Sequence, residues 1–314
     1  MDITYLLLLQ DFREGVGGFL APFMDWVTKF ALSFLPLAFL LMIYWVFDRR
    51  AGRRMLCGMV FGSMMNGFLK LTVCAYRPWI RDARIVPYGD AKVAATGYSF
   101  PSGHSTHATY YYGSIGYWLR DKCRILSIGF FLLIFVTMFS RNYLGVHTPQ
   151  DVIVGFGATA LMLVLGCRVE DWSDQDPDKR DRIIIAAGLA VAFVSLCYFY
   201  LKPYPRDILP DGKLLVDPAK MMIDSFSGIG YLSSYVICRY FERRGFAFEK
   251  ETDWKDRFII GTVALLPLHW WYGHIELFFK MMDLPAAGKF VRAAGIVVYA
   301  MIIFPNIMKR IRSL

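Results

Sequence analysis

Three short polar segments, separated by apolar sequence, hold the residues with the greatest capacity for chemistry. One of them, 139–151, brings Arg141, His147 and Asp151 together between two long apolar runs. Charged side chains are costly in or beside hydrocarbon, so a cluster of them in such a setting indicates a function.

The other two segments add cations and a second imidazole. Lys70 is followed, after six residues, by Arg77 and a proline, and 101–104 reads Pro-Ser-Gly-His. This inventory suits phosphoryl transfer, because Lys and Arg neutralise phosphate oxygens and Arg does so with a bidentate fork. A Ser-Gly pair that opens a helix offers backbone N–H groups to an anion. One histidine can attack phosphorus while the other protonates the leaving oxygen.

The composition predicts a membrane protein. Hydrophobic residues make up 56% of the 314 residues and charged residues only 19%, against about 25% charged residues in soluble domains. The mean hydropathy is +0.40, and apolar runs near the length of a membrane span recur along the chain. We therefore expect an all-α, polytopic helical bundle of about nine spans, with eight as the alternative. The expected spans are 30–47, 55–75, 103–119, 125–143, 151–169, 183–201, 221–240, 258–271 and 290–307.

The apolar pattern also predicts a division of the chain. Residues 1–28 are expected to form interfacial helices, because their apolar stretches are interrupted by charged residues, with an extension of the first span as the alternative. They have neither the basic first region nor the small-residue cleavage site of a signal peptide. Residues 29–170 would form a catalytic core of five to six spans, and 171–182 a cytoplasmic linker. Residues 183–314 would form an accessory transmembrane region.

The distribution of Lys and Arg predicts the orientation. The net charge is +9, and most basic residues fall in alternate loops, which are expected to be cytoplasmic. The N-terminus would then lie outside and the C-terminus inside, with all three polar segments on the outer face. No basic cluster with interleaved aromatic residues occurs in a soluble segment, which argues against a nucleic-acid partner. The six cysteines lie in or beside apolar runs without metal-ligand spacing, so we expect them to be buried apolar residues.

The three motifs, K-x6-RP, PSGH and SR-x5-H-x3-D, resemble the signature of the type 2 phosphatidic acid phosphatase superfamily. The active site of that group is related to that of the vanadium haloperoxidases. The resemblance covers about 30–169 and implies that His147 is the nucleophile, forming a phosphohistidine. It implies that Asp151 orients His147 and that His104 acts first as general acid and then as base. It implies neither a metal nor another cofactor, with phosphate bound by Lys70, Arg77, Ser102, Gly103 and Arg141.

Several of these residues also have a simpler interpretation. Thr148 and the residues after it read as a helix start, so Asp151 could serve only as a cap. His107, three residues after His104, could support the site or be a polar residue near the helix end. The last candidates, Arg81 and Arg84, could bind a second phosphate together with Lys92, or all three could be solvated loop charges.

The combined hypothesis is an integral membrane phosphatase that hydrolyses a lipid phosphate or an isoprenoid pyrophosphate such as undecaprenyl pyrophosphate. It would act at the extracytoplasmic face, in a bacterial plasma membrane, with substrate and membrane lipids as its partners. Alternatives are a lipid-to-acceptor phosphotransferase and a non-catalytic lipid-binding or transport protein. A sugar-phosphate phosphatase is a further alternative if the loop 202–218 covers the pocket. The sequence leaves the oligomeric state open.

Overall fold

The computed structural model describes residues 2–95, 97–209, 212, 214–245 and 253–312. These residues are mostly helical and include no named strand; Ile208 and Leu214 form an isolated antiparallel bridge. The prediction of an all-helical chain is confirmed. Three residues of the predicted covering loop 202–218, namely 210, 211 and 213, lie outside the described residues.

The described residues form fifteen α-helices, and three π-helical turns are inserted among them at Ile43–Phe47, Thr109–Gly113 and Tyr299–Ile303. The helices are α1 (Asp2–Gly15), α2 (Ala21–Leu32), α3 (Phe34–Met42), α4 (Arg49–Val73), α5 (Pro78–Arg81), α6 (Ala91–Ala94), α7 (Gly103–Ala108), α8 (Ser114–Leu119), α9 (Arg124–Tyr143), α10 (Pro149–Asp174), α11 (Pro177–Leu201), α12 (Pro218–Gly245), α13 (Trp254–Met281), α14 (Pro285–Val298) and α15 (Phe304–Arg312).

Five of the described helical segments are long and apolar enough to cross a membrane. A sixth span results if α2 and the segment Phe34–Phe47, bent by 48° at Ser33, count as one. The chain is therefore an integral membrane protein, although the predicted count of nine spans is not confirmed. The five segments are Arg49–Arg81, Arg124–Tyr143, Pro149–Asp174, Pro177–Leu201 and Pro285–Arg310.

The other three expected spans are helical but do not meet the same requirements of length and apolarity. Residues 103–119 form a short helix interrupted by a π-helical turn. Two helices, α12 and α13, have 28 residues each. The second of them continues to Met281, well beyond the expected end at 271, so that boundary was wrong. Pro267 lies inside this helix. The apolar run alone predicted a shorter helix.

The chain divides into two compact units. The first comprises Met1–Pro36, Met65–Met162 and Pro203–Met221. Within it, α9 packs against α1, α2, α7 and α8. All three polar motifs belong to this unit.

The second unit comprises Leu37–Met64, Leu163–Lys202 and Met222–Leu314. In it α13 packs against α14. A buried ionic network centres on Arg239, which pairs with Glu170 and Asp181. A buried charge is tolerated only when it is paired and hydrogen-bonded, and here each of the three side chains is at most 2% exposed.

Candidate active site

His147 lies in the short turn that joins α9 to α10. Gly145 makes this turn with φ of +74°, and a Cβ atom there would lie 3.4 Å from the Cα of Pro87. The backbone N–H groups of Val146 and His147 both donate to the carbonyl of Arg141, at 3.1 and 3.3 Å. The end of α9 and the turn therefore fix the position of the imidazole. His147 is only 2% exposed.

Asp151 both caps α10 and contacts His147. Its Oδ2 atom accepts the backbone N–H of Thr148 at 2.8 Å and lies 3.3 Å from Nδ1 of His147. In return, the hydroxyl of Thr148 accepts the backbone N–H of Asp151 at 3.4 Å. Since the cap residue directly follows the histidine, one carboxylate reaches both groups, and the two interpretations of Asp151 are compatible.

Arg77 contacts the opposite side of the same imidazole. Its NH1 atom lies 2.8 Å from Nε2 of His147 and donates to the carbonyl of Val146 at 3.0 Å. A guanidinium has no acceptor, so Nε2 must accept and Nδ1 must carry the proton that faces Asp151. Burial, and next the charge of Arg77, hold the pKa of His147 well below its ordinary value. The imidazole is therefore neutral at neutral pH.

Direct hydrogen bonds join the three motifs. The ammonium of Lys70 donates to the carbonyls of Tyr98 and Pro101, at 3.1 and 3.0 Å. The backbone N–H of Ser102 donates to the carbonyl of Asp151 at 2.9 Å. Its hydroxyl accepts the backbone N–H of Ser105 at 3.3 Å and so caps α7. The first motif is thus tied to the second, and the second to the third.

Open space lies beside Gly103, and His104 follows it. A Cβ atom on Gly103 would meet only the Oδ1 atom of Asn66, at 4.0 Å. The neighbouring His104 lies within electrostatic range of the guanidinium groups of Arg141 and Arg77. Backbone, imidazoles and cations therefore converge on one region.

Arg141 is buried at 2% exposure and donates from NH1 to the hydroxyl of Thr28 at 2.7 Å. Its Nε atom has no hydrogen-bond partner among the described residues. A buried guanidinium with spare donor capacity is suited to an anionic ligand.

The remaining sequence candidates have partners of their own. His107 donates from Nδ1 to the carbonyl of Gly103 at 2.7 Å. Arg81 pairs with Asp2 at 2.8 Å, and Arg84 with Asp82 at 2.7 Å. A role for these three residues in the site stays a prediction.

The motifs alone did not identify Ser99, Asn142 and Thr28. The hydroxyl of Ser99 donates to Oδ2 of Asp151 at 2.5 Å and lies 3.4 Å from Nδ1 of His147. The side-chain amide of Asn142 donates to the carbonyl of His147 at 2.8 Å. Asn142 lies within the third motif and Ser99 lies two residues before the second, which is a usable signal. Thr28 contacts Arg141 from 113 positions away, and nothing in the sequence marks it.

The described residues hold no group of three or more His, Cys, Asp and Glu side chains that could bind a metal ion. Instead, fixed cations surround a buried neutral imidazole backed by a carboxylate. The apolar helices and this arrangement together define an integral membrane protein with a cluster of polar residues suited to an anion.

Comparison with known proteins identifies the family. Residues 51–174 match the family described as the PAP2 superfamily. Phosphatidylglycerophosphatase B of Bacillus subtilis is 33% identical over 146 residues, which cover 43% of this chain and 67% of that protein. The chain belongs to the PAP2 superfamily, which confirms the predicted family.

A second relative is more distant. Lipid phosphate phosphatase delta of Arabidopsis thaliana is 26% identical over 214 residues, 65% of this chain and 49% of that protein. The chain thus spans about half the length of the plant relative. No solved structure matches this chain.

Proposed function

We propose that this protein hydrolyses a lipid phosphate at the extracytoplasmic face through a phosphohistidine on His147. The observation that carries the proposal is the chain of contacts from Asp151 through His147 to Arg77. In this chain of contacts the imidazole is neutral, and its Nε2 atom lies 2.8 Å from NH1 of Arg77. The names of the two relatives, a lipid phosphate phosphatase and a phosphatidylglycerophosphatase, support a lipid substrate.

In the first step, the substrate phosphate takes the guanidinium N–H of Arg77 away from Nε2, which frees the lone pair. Nε2 of His147 attacks phosphorus, an Nε2–P bond forms, and the P–O bond to the lipid breaks. His104 gives its proton to the departing oxygen. Asp151 accepts the Nδ1–H of the imidazolium and stabilises its charge.

In the second step, His104 takes a proton from water, whose oxygen attacks the phosphohistidine. The P–N bond breaks, inorganic phosphate leaves, and His147 returns to its neutral form. Lys70, Arg77 and Arg141 stabilise the charge on the equatorial oxygens in both steps, since phosphoryl transfer depends mainly on positioning and electrostatics.

The extracytoplasmic orientation rests on the charges of the loops. The ends of the helices that carry the site are poorer in Lys and Arg than the opposite ends, which the positive-inside rule assigns to the cytoplasm. The substrate is then a lipid of the outer leaflet.

Replacing the nucleophile tests the mechanism. Purified His147→Ala in detergent should release no phosphate from a lipid monophosphate, and His147 in the wild-type protein should carry an alkali-stable, acid-labile ³²P label after a rapid quench. His274→Ala, an exposed histidine far along the chain, is the matched control and should keep both the label and the turnover. Full activity in His147→Ala would refute the proposal.

A further inference from the structure

Arg13 is a buried arginine in α1, well before the three motifs in the sequence. It is only 5% exposed, and an arginine is seldom so buried unless its donors are satisfied. The two acceptors that the structure gives it are backbone carbonyls, that of Tyr143 at 3.1 Å and that of Val86 at 2.8 Å. One guanidinium therefore joins two separate parts of the chain, and both parts lead to the reaction centre.

The first acceptor belongs to the end of α9. Tyr143 is the last residue of this helix, and the last carbonyls of a helix have no partners within it. A cation at this position also offsets the partial negative charge of the helix end. His147 follows four residues later, and its backbone N–H donates to the carbonyl of Arg141 in the same last turn. Arg13 thus holds the helix end from which the turn with His147 starts.

The second acceptor belongs to the loop 82–90, which packs against that turn. The backbone N–H of Tyr88 donates to the carbonyl of Leu144 at 3.1 Å. A Cβ atom on Gly145 would lie 3.4 Å from the Cα of Pro87, so the two backbones are in close contact. Any shift of the loop would therefore move the turn.

Other contacts of α1 support the same loop. The side chain of Gln10 accepts the backbone N–H of Val86 at 2.8 Å and donates to the carbonyl of Arg84 at 3.3 Å. The guanidinium carbon of Arg13 lies 5.9 Å from the ring centroid of Tyr88, within the range of a cation–π interaction. Gln10 and Arg13 are three positions apart and share one face of the helix. This face of α1 is therefore directed at the loop.

The helix that supplies these contacts lies outside the residues that match the family, 51–174, whereas the loop and His147 lie within them. All of these residues belong to the first compact unit. A segment from beyond the matched region thus supports the backbone around the proposed nucleophile.

We infer that Arg13 is a positioning residue, which holds the loop 82–90 against the end of α9 and so fixes the turn that carries His147. The inference rests on the proposed function, in which Nε2 of His147 must point at phosphorus. A misplacement of about 1 Å at a reacting group can lower a rate about 10²-fold. The proposed phosphate ligands keep their own contacts, such as that of Arg141 with Thr28. The loss should therefore appear in kcat and not in KM.

Steady-state phosphate release from phosphatidic acid by the purified protein in detergent tests this role. Arg13→Met removes the donors and keeps a long apolar side chain, whereas Arg13→Lys keeps the cation. Gln10→Ala weakens the same loop through a half-buried residue whose loss leaves no buried charge unpaired. Arg124→Met, at an exposed arginine at the start of α9, is the matched control.

Arg13→Met should lower kcat at least about tenfold and change KM less than about twofold. Arg13→Lys should have a kcat at least about threefold above that of Arg13→Met, because an ammonium can still donate to a backbone carbonyl. Gln10→Ala should lower kcat about twofold to tenfold, the range expected for the loss of a neutral hydrogen bond. Arg124→Met should behave as wild type.

Hydrogen exchange of the same variants separates positioning from a general loss of structure. In Arg13→Met the amides of 84–90 and 142–148 should exchange faster, because the hydrogen bonds of Val86, Tyr88 and His147 depend on the contact between loop and turn. Peptides from α12 should exchange as in wild type.

A kcat and an exchange pattern equal to those of Arg124→Met would overturn the inference. A loss confined to KM, or faster exchange throughout the protein, would also overturn it. In each of these cases an inactive His147→Ala leaves the proposed function intact. An active His147→Ala would instead overturn the proposed function, and the role of Arg13 with it, so the two failures are distinguishable.

Discussion

Ser99 provides the sharpest test of how the site is positioned. Its hydroxyl is buried, donates to Oδ2 of Asp151 at 2.5 Å and lies 3.4 Å from Nδ1 of His147. Replacing it by alanine removes one of the donors that hold the carboxylate while leaving every proposed phosphate ligand in place. The variant should therefore lower kcat and leave KM nearly unchanged.

The size of the effect follows from the contacts that remain. A hydrogen bond to a charged group contributes about 1.5–3 kcal/mol. Asp151 keeps the backbone N–H of Thr148 at 2.8 Å, so we expect a cost at the lower end of that range. Since about 1.4 kcal/mol corresponds to a tenfold change in rate, kcat of Ser99→Ala should fall about tenfold.

The pH profile separates positioning from a general loss of structure. Without the Ser99 hydroxyl, the Asp151 carboxylate is a stronger acceptor for Nδ1–H of His147 and favours the imidazolium. The pKa of His147 should rise, and the acid limb of kcat/KM should move to higher pH.

Ser105→Ala is the matched control, because the hydroxyl of Ser105 is equally buried and has no hydrogen-bond partner among the described residues. Both variants are assayed for phosphate release from a lipid monophosphate between acidic and neutral pH. A Ser99→Ala variant that matches Ser105→Ala in kcat and in the position of the acid limb would refute this role of Ser99.

Two further predictions concern packing and stability. A Cβ atom at Gly155 would lie 2.8 Å from the backbone oxygen of Ser102, whereas one at Gly157 would meet nothing within 4 Å. Gly155→Ala should therefore lower kcat at least severalfold in the same assay. An equal effect of Gly157→Ala would contradict this prediction. The pKa of His147 in the folded state lies below the unfolded value of about 6.5. As the pH drops below about 6.5, the unfolded state therefore binds a proton at this histidine more readily than the folded state does. The free energy of unfolding falls as a result. Acidification should thus lower the thermal unfolding midpoint of wild type more than that of His147→Gln, and parallel curves would show that His147 does not contribute.

Local sequence carried most of the information on the site residues. His147 and Asp151 are four positions apart at a helix start, so the cap that places one also places the other. The all-helical class and the family were predictable for the same reason, because apolar runs and short motifs are local patterns. Both predictions are confirmed. The domain boundaries, the orientation and the catalytic roles stay predictions.

The span count shows where local pattern fails. Hydropathy finds apolar runs but does not show where a helix continues past them, as α13 does to Met281. The nine expected spans compare with five apolar helices in the part of the chain that the structure describes, or six with the bent pair. Length and apolarity are separate requirements, and a helix such as α12 can be long and still carry charges.

The sequence by itself thus determined the membrane class, the family and most of the polar residues that meet in the site. Only the tertiary structure decided how they are held: Arg77 against His147, Ser99 against Asp151, and Lys70 on the carbonyls of Tyr98 and Pro101. The physical reason is that many of these partners are backbone carbonyls, which every residue type possesses. A residue's identity therefore cannot reveal that its carbonyl anchors a cation, and distant contacts leave no mark in the local pattern.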